Sequence, residues 1–218
     1  MTDFDVARRM MVDNQLRTIN VTDRRLLAAL GRVPRERFVP EARQAIAYAD
    51  TVHPLGGGRA LAAPGPLAQL LQLAEVGSGD SVLDVGCGTG YAAAVLGQLA
   101  ARVTGLEPDA ELAASARQVL AELGADNVEV VESALDGSGL EAGAYDVIVL
   151  EGSVAAVPAP LLRLLADNGR LVALVRAAGT APVAHVFVRS GDEVTARMAF
   201  NASMPPLQLP AREESFIF

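Results

Sequence analysis

With 218 residues, 51% of them hydrophobic and 20% charged, the chain is large enough and apolar enough for a globular domain with a sizeable core. A net charge of −8 without a long basic run argues against nucleic-acid binding, and the short apolar runs argue against a membrane-spanning helix. A single cysteine, Cys87, excludes an internal disulfide framework and, with no apolar signal core near the N-terminus, leads us to expect a cytoplasmic protein.

The first third of the chain is predicted to be helical and rich in loops. Apolar residues at helical spacing predict one helix over residues 3–16 and a second that starts near the candidate cap Thr22 and ends at Gly31. Residues 51–64 are rich in glycine and proline and are predicted to form a loop. The pattern of residues 65–77, with a proline in the first turn, predicts a further helix.

Short apolar strands alternate with helical segments from residue 81 onwards. The predicted strands cover residues 81–85, 102–107, 127–133, 145–151 and 170–176, and the predicted helices cover 90–100, 109–124 and 158–169. Residues 183–200 predict two further strands joined by the turn "SGDE". The sequence therefore predicts an α/β fold with a doubly wound, mostly parallel seven-stranded sheet, an antiparallel C-terminal edge hairpin and a helical N-terminal extension.

The stretch "DVGCGTG" follows the first strand of this sheet. Gly86, Gly88 and Gly90 permit positive φ angles and let a ligand lie directly on the backbone. Ligands of open α/β sheets bind beyond the carboxyl ends of the strands, which is where this loop is placed. Glu107 ends the next strand, and a carboxylate there accepts two hydrogen bonds from the hydroxyls of a ribose.

Two nucleoside cofactors compete for this loop. The NAD pattern G-x-G-x-x-G puts its third glycine one position later, where this chain has Tyr91. The spacing G-x-G-x-G preceded by Asp84 resembles the first motif of the class I S-adenosylmethionine-dependent methyltransferases, which implies their Rossmann-like fold and S-adenosyl-L-methionine as the cofactor. Asp84 then orients the loop or receives the ammonium group of the cofactor, directly or through water. An NAD-dependent oxidoreductase is the less favoured alternative.

Other strand ends supply the remaining candidate residues. The end of the third strand often contacts adenine in this fold, and an acidic residue ends the fourth strand, facing either the site or solvent. The cysteine inside the loop is expected to fill space rather than act as a nucleophile. The predicted cofactor-binding set is Asp84, Gly86, Cys87, Gly88, Gly90, Glu107, Pro108, Ser133, Ala134 and Glu151, and no metal site is predicted.

Several motifs in the same order resemble the protein-L-isoaspartate O-methyltransferase family. They are "VPRERFVP" (33–40), "AYAD" (47–50), "PLGGGRALAAP" (54–64), "VLDVGCGTGY" (82–91), "YDVIVLEGS" (145–153) and the dipeptide Val157-Pro158. The resemblance implies a repair enzyme that methylates the free carboxylate of an isoaspartyl residue in a protein or peptide, after which the ester collapses to a succinimide. We expect residues 1–65 to hold the helical extension and acceptor loop and residues 66–218 to form the cofactor-binding α/β domain, with both parts in one compact unit.

The acceptor loop (residues 58–64) departs from the family pattern G-Q-T-I-S-Q-P, whose serine contacts the acceptor carboxylate. Ala62 stands at the serine position, Ala60 at the threonine and Ala63 at the second glutamine. No catalytic residue is therefore assigned, and we expect isoaspartyl methylation to be weakened or redirected to another acceptor. The alternative is a non-catalytic module that binds S-adenosylmethionine or S-adenosylhomocysteine and acts through partners.

Two polar side chains remain near this loop. Arg59 binds a carboxylate in place of the missing serine or points to solvent, and we favour solvent. His53 is expected to pack as a neutral side chain, because no acid or base partner is evident in the sequence.

Overall fold

Strands and helices alternate along the second half of the chain in the computed structural model, which describes residues 3–177 and 179–209. The strands are β1 (His53–Gly56), β2 (Arg59–Leu61), β3 (Ser81–Val85), β4 (Arg102–Glu107), β5 (Val128–Glu132), β6 (Tyr145–Val154), β7 (Leu165–Val175), β8 (Val183–Ser190) and β9 (Glu193–Asn201). The α-helices are α1 (Asp3–Met10), α2 (Arg24–Leu30), α3 (Pro64–Leu73), α4 (Tyr91–Gly97), α5 (Ala110–Glu122) and α6 (Ala159–Arg163).

The central sheet is mostly parallel, as predicted. Its strand order across the described residues is β5-β4-β3-β6-β7-β8-β9, and β3 to β7 run in one direction. β8 pairs antiparallel with β7, and β9 with β8, so the predicted edge hairpin is confirmed. The chain moves from β3 to β4 and β5 on one side and returns to β6 on the other. The boundary between β3 and β6 is thus the switch point at which such sheets bind ligands.

Apolar side chains cover both faces of the sheet. Successive strand residues point to opposite faces, so Val82 and Leu83 of β3 enter different cores. The larger core joins the sheet to α2, α3, α4, α5 and the helical residues near the N-terminus. The smaller core is closed by α6 and by a C-terminal segment that includes Leu207. The predicted doubly wound α/β class is therefore confirmed.

The helices near the N-terminus follow the predicted pattern with one correction. α1 continues into a π-helical turn (Met11–Leu16), in agreement with the predicted helix. The cap of α2 is Asp23, not Thr22: the Asp23 carboxylate accepts the N–H groups of Arg25 and Leu26 at 2.7 and 3.1 Å. Within the described residues, no helix has the length and apolar content that a membrane span requires.

Residues 53–61 form a small antiparallel hairpin where the sequence predicted only a loop. β1 and β2 pair through His53 with Leu61 and Pro54 with Ala60. The turn between them is "GGG", whose φ angles of 102°, 55° and 75° are readily available to glycine alone. Three consecutive glycines thus reverse the chain and lay the two short strands beside the sheet.

Candidate active site

The glycine-rich loop after β3 forms the floor of the candidate site. Gly86, Gly88 and Gly90 have φ angles of 83°, 55° and 91°, as the pattern of the sequence requires. A Cβ at Gly90 would lie 3.2 Å from the Ala116 Cβ, so this glycine also lets the start of α4 pack closely against α5. The N–H of Gly86 donates to the Leu106 carbonyl over 2.8 Å and ties the loop to β4.

Three carboxylates at the ends of neighbouring strands form an acidic cluster, which consists of Asp84 on β3, Glu107 on β4 and Glu151 on β6. Asp84 and Glu107 are fully buried, and the charges of all three interact. Glu107 Oε2 accepts the N–H of Gly88 at 2.8 Å, and Oε1 accepts the N–H of Asp109 at 3.2 Å. The fold thus brings together the three acidic residues that the sequence assigned to the cofactor.

Asp84 and Glu151 are neighbouring carboxyl groups whose ionisation is coupled. Within the described part of the chain, no N–H or O–H group donates a hydrogen bond to either oxygen of Asp84 or to Oε1 of Glu151 when both groups are ionised. Burial raises the pKa of Asp84 to about 7, and burial together with the nearby charge of Asp84 raises the pKa of Glu151 well above its ordinary value. Burial thus favours the protonated form of both carboxyl groups, and the two titrate as a coupled pair.

Arg59 reaches into the same crevice from β2, so the prediction that it points to solvent is wrong. Its side chain is 13% exposed, and Nη2 donates to the Gly86 carbonyl at 2.6 Å and to Glu107 Oε2 at 3.0 Å. Its positive charge partly offsets the burial that raises the pKa of Asp84 and Glu151. Arg59 is therefore the counter-ion of the acidic cluster.

Side chains from two distant segments cover the glycine loop. A Cβ at Gly88 would lie 3.0 Å from Leu55 Cδ1 on β1. A Cβ at Gly86 would lie 2.6 Å from Leu207 Cδ1 and 2.8 Å from Arg59 Nη2. The bare backbone of the loop is thus in contact with the hairpin on one side and with the C-terminal part of the chain on the other.

The second cover is the C-terminal segment (residues 202–209), which the sequence analysis missed. The N–H of Ser153 donates to the Pro205 carbonyl, and the N–H of Leu207 donates to the Ser153 carbonyl, each over 2.9 Å. Residues 202–209 have no periodic pattern that would predict this course. The one available signal was Gly152 inside β6, where a Cβ would lie 2.8 Å from the Leu207 Cβ, because a glycine in a strand often marks a close backbone approach.

The acceptor loop is held by a buried arginine. Ala62 is 2% exposed, and its carbonyl accepts a 2.5 Å hydrogen bond from Nη2 of the fully buried Arg35. Arg35 also donates to the Ala47 carbonyl at 2.8 Å and stacks over the Tyr91 ring at 4.7 Å. The loop backbone is thus fixed by a cation beneath it.

His53 has a buried position that fits the neutral packing role. Its Nδ1 accepts a 3.1 Å hydrogen bond from Arg43 Nε. Burial lowers the pKa of His53 to about 4, with further contributions from the positive charges of Arg35 and Arg43. The imidazole is therefore uncharged at neutral pH.

The Cys87 side chain is buried against Gly105 of β4. Its side chain is 3% exposed, and a Cβ at Gly105 would lie 2.9 Å from its Sγ. Burial raises the pKa of this thiol well above its ordinary value, and nearby carboxylates add to the effect. Cys87 is thus a space-filling residue whose backbone belongs to the glycine loop.

The adenine-side candidates lie next to Glu107. β4 and β5 pair Glu107 with Glu132, so Ser133 and Ala134 follow immediately at the same edge of the sheet. Ser133 Oγ donates to the Ser138 carbonyl at 3.3 Å, and Ala134 is exposed. Pro108, the residue after Glu107, is exposed as well. Pro108 and Ala134 are thus more exposed than the acidic cluster, at the same edge of the sheet.

Comparison with known proteins decides the family. The sequence profile of protein-L-isoaspartate(D-aspartate) O-methyltransferases matches residues 7–207. Protein-L-isoaspartate O-methyltransferase 2 of Anaeromyxobacter sp. (strain Fw109-5) is 41% identical over 172 residues, which cover 77% of this chain and 69% of that protein. The chain belongs to the protein-L-isoaspartate O-methyltransferase family.

Two further matches agree with this family. The protein-L-isoaspartate O-methyltransferase of Koribacter versatilis (strain Ellin345) is 42% identical over 174 residues, covering 79% of this chain and 78% of that protein. A solved Plasmodium falciparum structure, assigned as a protein-L-isoaspartate O-methyltransferase and holding S-adenosyl-L-homocysteine, matches with a TM-score of 0.79 at 22% identity, over 92% of this chain and 98% of that one. The structural match confirms the predicted Rossmann-like methyltransferase fold, and the family favours S-adenosylmethionine over NAD.

Proposed function

We propose that this chain is an S-adenosylmethionine-dependent O-methyltransferase that methylates the free carboxylate of isoaspartyl residues in damaged proteins or peptides. The observation that carries the proposal is the 41% and 42% identity to relatives of that name, which extends over more than three-quarters of the chain. We also propose a cytoplasmic location, because the single cysteine suits a reducing compartment.

The crevice residues fit the cofactor chemically. S-adenosyl-L-methionine supplies an electrophilic methyl group on a sulfonium cation, and it also carries an ammonium group. The buried Asp84 oxygens, which lack a donor among the described residues when ionised, suit that ammonium group, and Glu107 suits the ribose hydroxyls. We propose that the backbone from Gly86 to Gly90, including Cys87, lies under the methionine portion. Glu151 lies beside Asp84 in the acidic cluster, and we propose that it contacts the cofactor there.

The outer residues complete the proposed cofactor site. We propose that Ser133 and the backbone of Ala134 contact the adenine ring, because they follow the strand that pairs with β4 at Glu107. Pro108 closes the same side of the crevice. Their exposure leaves the adenine side as the open edge through which the nucleoside enters.

Methyl transfer to a carboxylate needs no general base. A carboxyl group of this kind has an ordinary pKa of about 4 and is ionised at neutral pH. The protein must hold one carboxylate oxygen in line with the methyl group and keep water out, so positioning and desolvation provide the rate. The hairpin and the C-terminal segment, which cover the glycine loop from two sides, are the elements that exclude water here.

The alternative is a non-catalytic module that binds the cofactor or its demethylated product. It is favoured by one observation: the acceptor loop has alanine at the three positions where the family pattern has threonine, serine and glutamine. A labelled-methyl assay separates the two. The protein is incubated with methyl-labelled S-adenosylmethionine and either an isoaspartyl peptide or the same peptide with ordinary aspartate, and base-labile methyl ester is counted.

We expect ester on the isoaspartyl peptide only, and its loss in Glu107→Ala, which removes the proposed ribose ligand. Calorimetric binding of S-adenosylhomocysteine without any ester would contradict the enzyme and favour the module. Failure to bind either nucleoside would contradict both.

A further inference from the structure

Arg59 is the only residue of the acceptor loop whose side chain carries a polar group, since the loop reads Gly-Arg-Ala-Leu-Ala-Ala-Pro. In the structure its guanidinium is already bound to a carboxylate, that of Glu107. Only one of its three nitrogens, Nη2, makes these contacts, and the buried Nε has no hydrogen-bond partner among the described residues. An arginine can bind a carboxylate through two parallel hydrogen bonds, so this contact leaves the N–H donors of Nε and Nη1 unused.

The ion pair conflicts with ribose binding at Glu107, the role that the proposed function gives this residue. A carboxylate oxygen has about two lone pairs for hydrogen bonds. Oε2 of Glu107 already accepts the N–H of Gly88 and the Nη2–H of Arg59. A ribose hydroxyl that binds Oε2 must therefore displace Arg59, because the N–H of Gly88 belongs to the loop itself.

A displaced Arg59 side chain is still carried by the acceptor loop. Arg59 lies on β2, within that loop, directly after the glycine turn. An acceptor carboxylate that approaches three buried acidic residues is repelled unless a cation accompanies it. His53, the other titratable side chain of the hairpin, is uncharged at neutral pH because its pKa is lowered to about 4. The hairpin thus offers one cation for this purpose.

We propose that Arg59 binds the acceptor carboxylate in place of the missing loop hydroxyl, and that Glu107 holds it until the nucleoside takes its place. This inference rests on the proposed function. It predicts ordered binding, with the cofactor first and the acceptor second. It also assigns Arg59 two opposite effects, since the same guanidinium opposes the nucleoside and attracts the acceptor.

The test is Arg59→Gln, compared with Arg59→Lys and with Arg17→Gln as the matched control. Arg17 forms an exposed ion pair with Asp13, away from the crevice. For Arg59→Gln we expect the Kd of S-adenosylhomocysteine, measured by calorimetry, to fall about tenfold because the competing cation is gone. We expect its KM for an isoaspartyl peptide to rise about tenfold or more, with a much smaller change in kcat.

The remaining variants separate a binding role from a structural one. Arg59→Lys keeps the positive charge but cannot make two parallel hydrogen bonds to a carboxylate. Its KM for the acceptor should therefore lie between those of the wild type and Arg59→Gln. Arg17→Gln should leave both the Kd and the KM unchanged. If Arg59→Gln merely loosened the hairpin, both the Kd of S-adenosylhomocysteine and the KM of the isoaspartyl peptide would rise, which would overturn the proposal. Tighter S-adenosylhomocysteine binding with an unchanged acceptor KM would overturn the acceptor role.

Failure of the proposed function is distinguishable from failure of this inference. If the wild-type protein forms no ester, the proposed function fails, and with it the acceptor role. The competition between Arg59 and the nucleoside for Glu107 is then still tested by the Kd of S-adenosylhomocysteine. An unchanged Kd in Arg59→Gln would overturn this competition.

Discussion

Asp84 and Glu151 lie side by side, and burial raises the pKa of both carboxyl groups. Such burial of ionisable groups is unfavourable for folding unless a ligand or a counter-ion compensates it. Arg59 supplies part of the compensation through its charge. The burial cost that Arg59 does not compensate lowers the stability of the folded protein. We attribute the retention of these buried groups to their role in cofactor binding, since shifted pKa values are common at functional sites.

The raised pKa of Asp84 predicts how stability changes with pH. Between about pH 4 and pH 7 the folded protein binds more protons than the unfolded chain, so this group makes the protein less stable as pH rises through that window. Asp84→Asn removes the ionisable group. We expect it to raise Tm by roughly 5 °C at about pH 8 and by less at about pH 5, while it weakens S-adenosylmethionine binding.

Scanning calorimetry at both pH values checks this expectation, with exposed Asp126 replaced by asparagine as the matched control. The control should leave Tm unchanged at either pH. An equal gain at both pH values in Asp84→Asn, or a loss at the higher one, would show that the carboxylate is not strained by burial.

The glycine loop and α5 depend on one another at Gly90. Its positive φ begins α4, and the absence of a side chain allows contact with Ala116 and Leu120 of α5. The third glycine of the motif therefore serves helix packing, whereas Gly86 and Gly88 face the side chains that cover the crevice. The motif thus combines a structural requirement with a binding surface.

Gly90→Ala should lower the free energy of unfolding by about 3 kcal/mol, from backbone strain at positive φ and from crowding against α5. Gly124→Ala is the matched control, because its φ is 65° and an added Cβ there meets no described heavy atom within 4 Å. We expect Gly124→Ala to lower the free energy of unfolding by about 1 kcal/mol, from backbone strain alone. Urea unfolding of both variants measures the difference, and equal losses would contradict the packing role of Gly90.

Across the whole molecule, residues far apart in sequence enclose one crevice. Leu55 and Arg59 come from the hairpin, Glu107 and the glycine loop from the sheet, and Leu207 from the C-terminal segment. On the proposed function, a nucleoside that binds the loop displaces these covering side chains. We therefore expect the cover to slow the release of the ligand.

Leu207→Ala should increase the dissociation rate of S-adenosylhomocysteine by about tenfold, because it removes the side chain above Gly86. Stopped-flow displacement measures this rate. Leu209→Ala is the control, since Leu209 is a partly buried leucine of the same segment. If both variants release the ligand at the wild-type rate, the segment does not act as a cover.

Local features were predictable because each depends on a few neighbouring residues. The glycines of the loop predicted positive φ angles, which the structure has. Asp109 caps α5, as its side-chain type and position suggest, and Glu107 ends β4. The hairpin was missed because β1 and β2 are very short. The orientation of Arg59 was predicted wrongly because its partner Glu107 is distant in sequence, and solvent is the usual surrounding of an arginine in a polar loop.

Periodic apolar patterns were sufficient for the α/β fold, and the glycine spacing placed the binding loop after β3, since these follow from short-range sterics and from burial of one face of each element. The class of cofactor was implied by the resemblance of that loop to a methyltransferase motif. The cover of the crevice, the raised pKa values of Asp84 and Glu151, and the ion pair of Arg59 became visible in the folded chain. They arise from contacts between segments that meet through packing, and charges at such contacts depend on burial and distance, which no local pattern encodes.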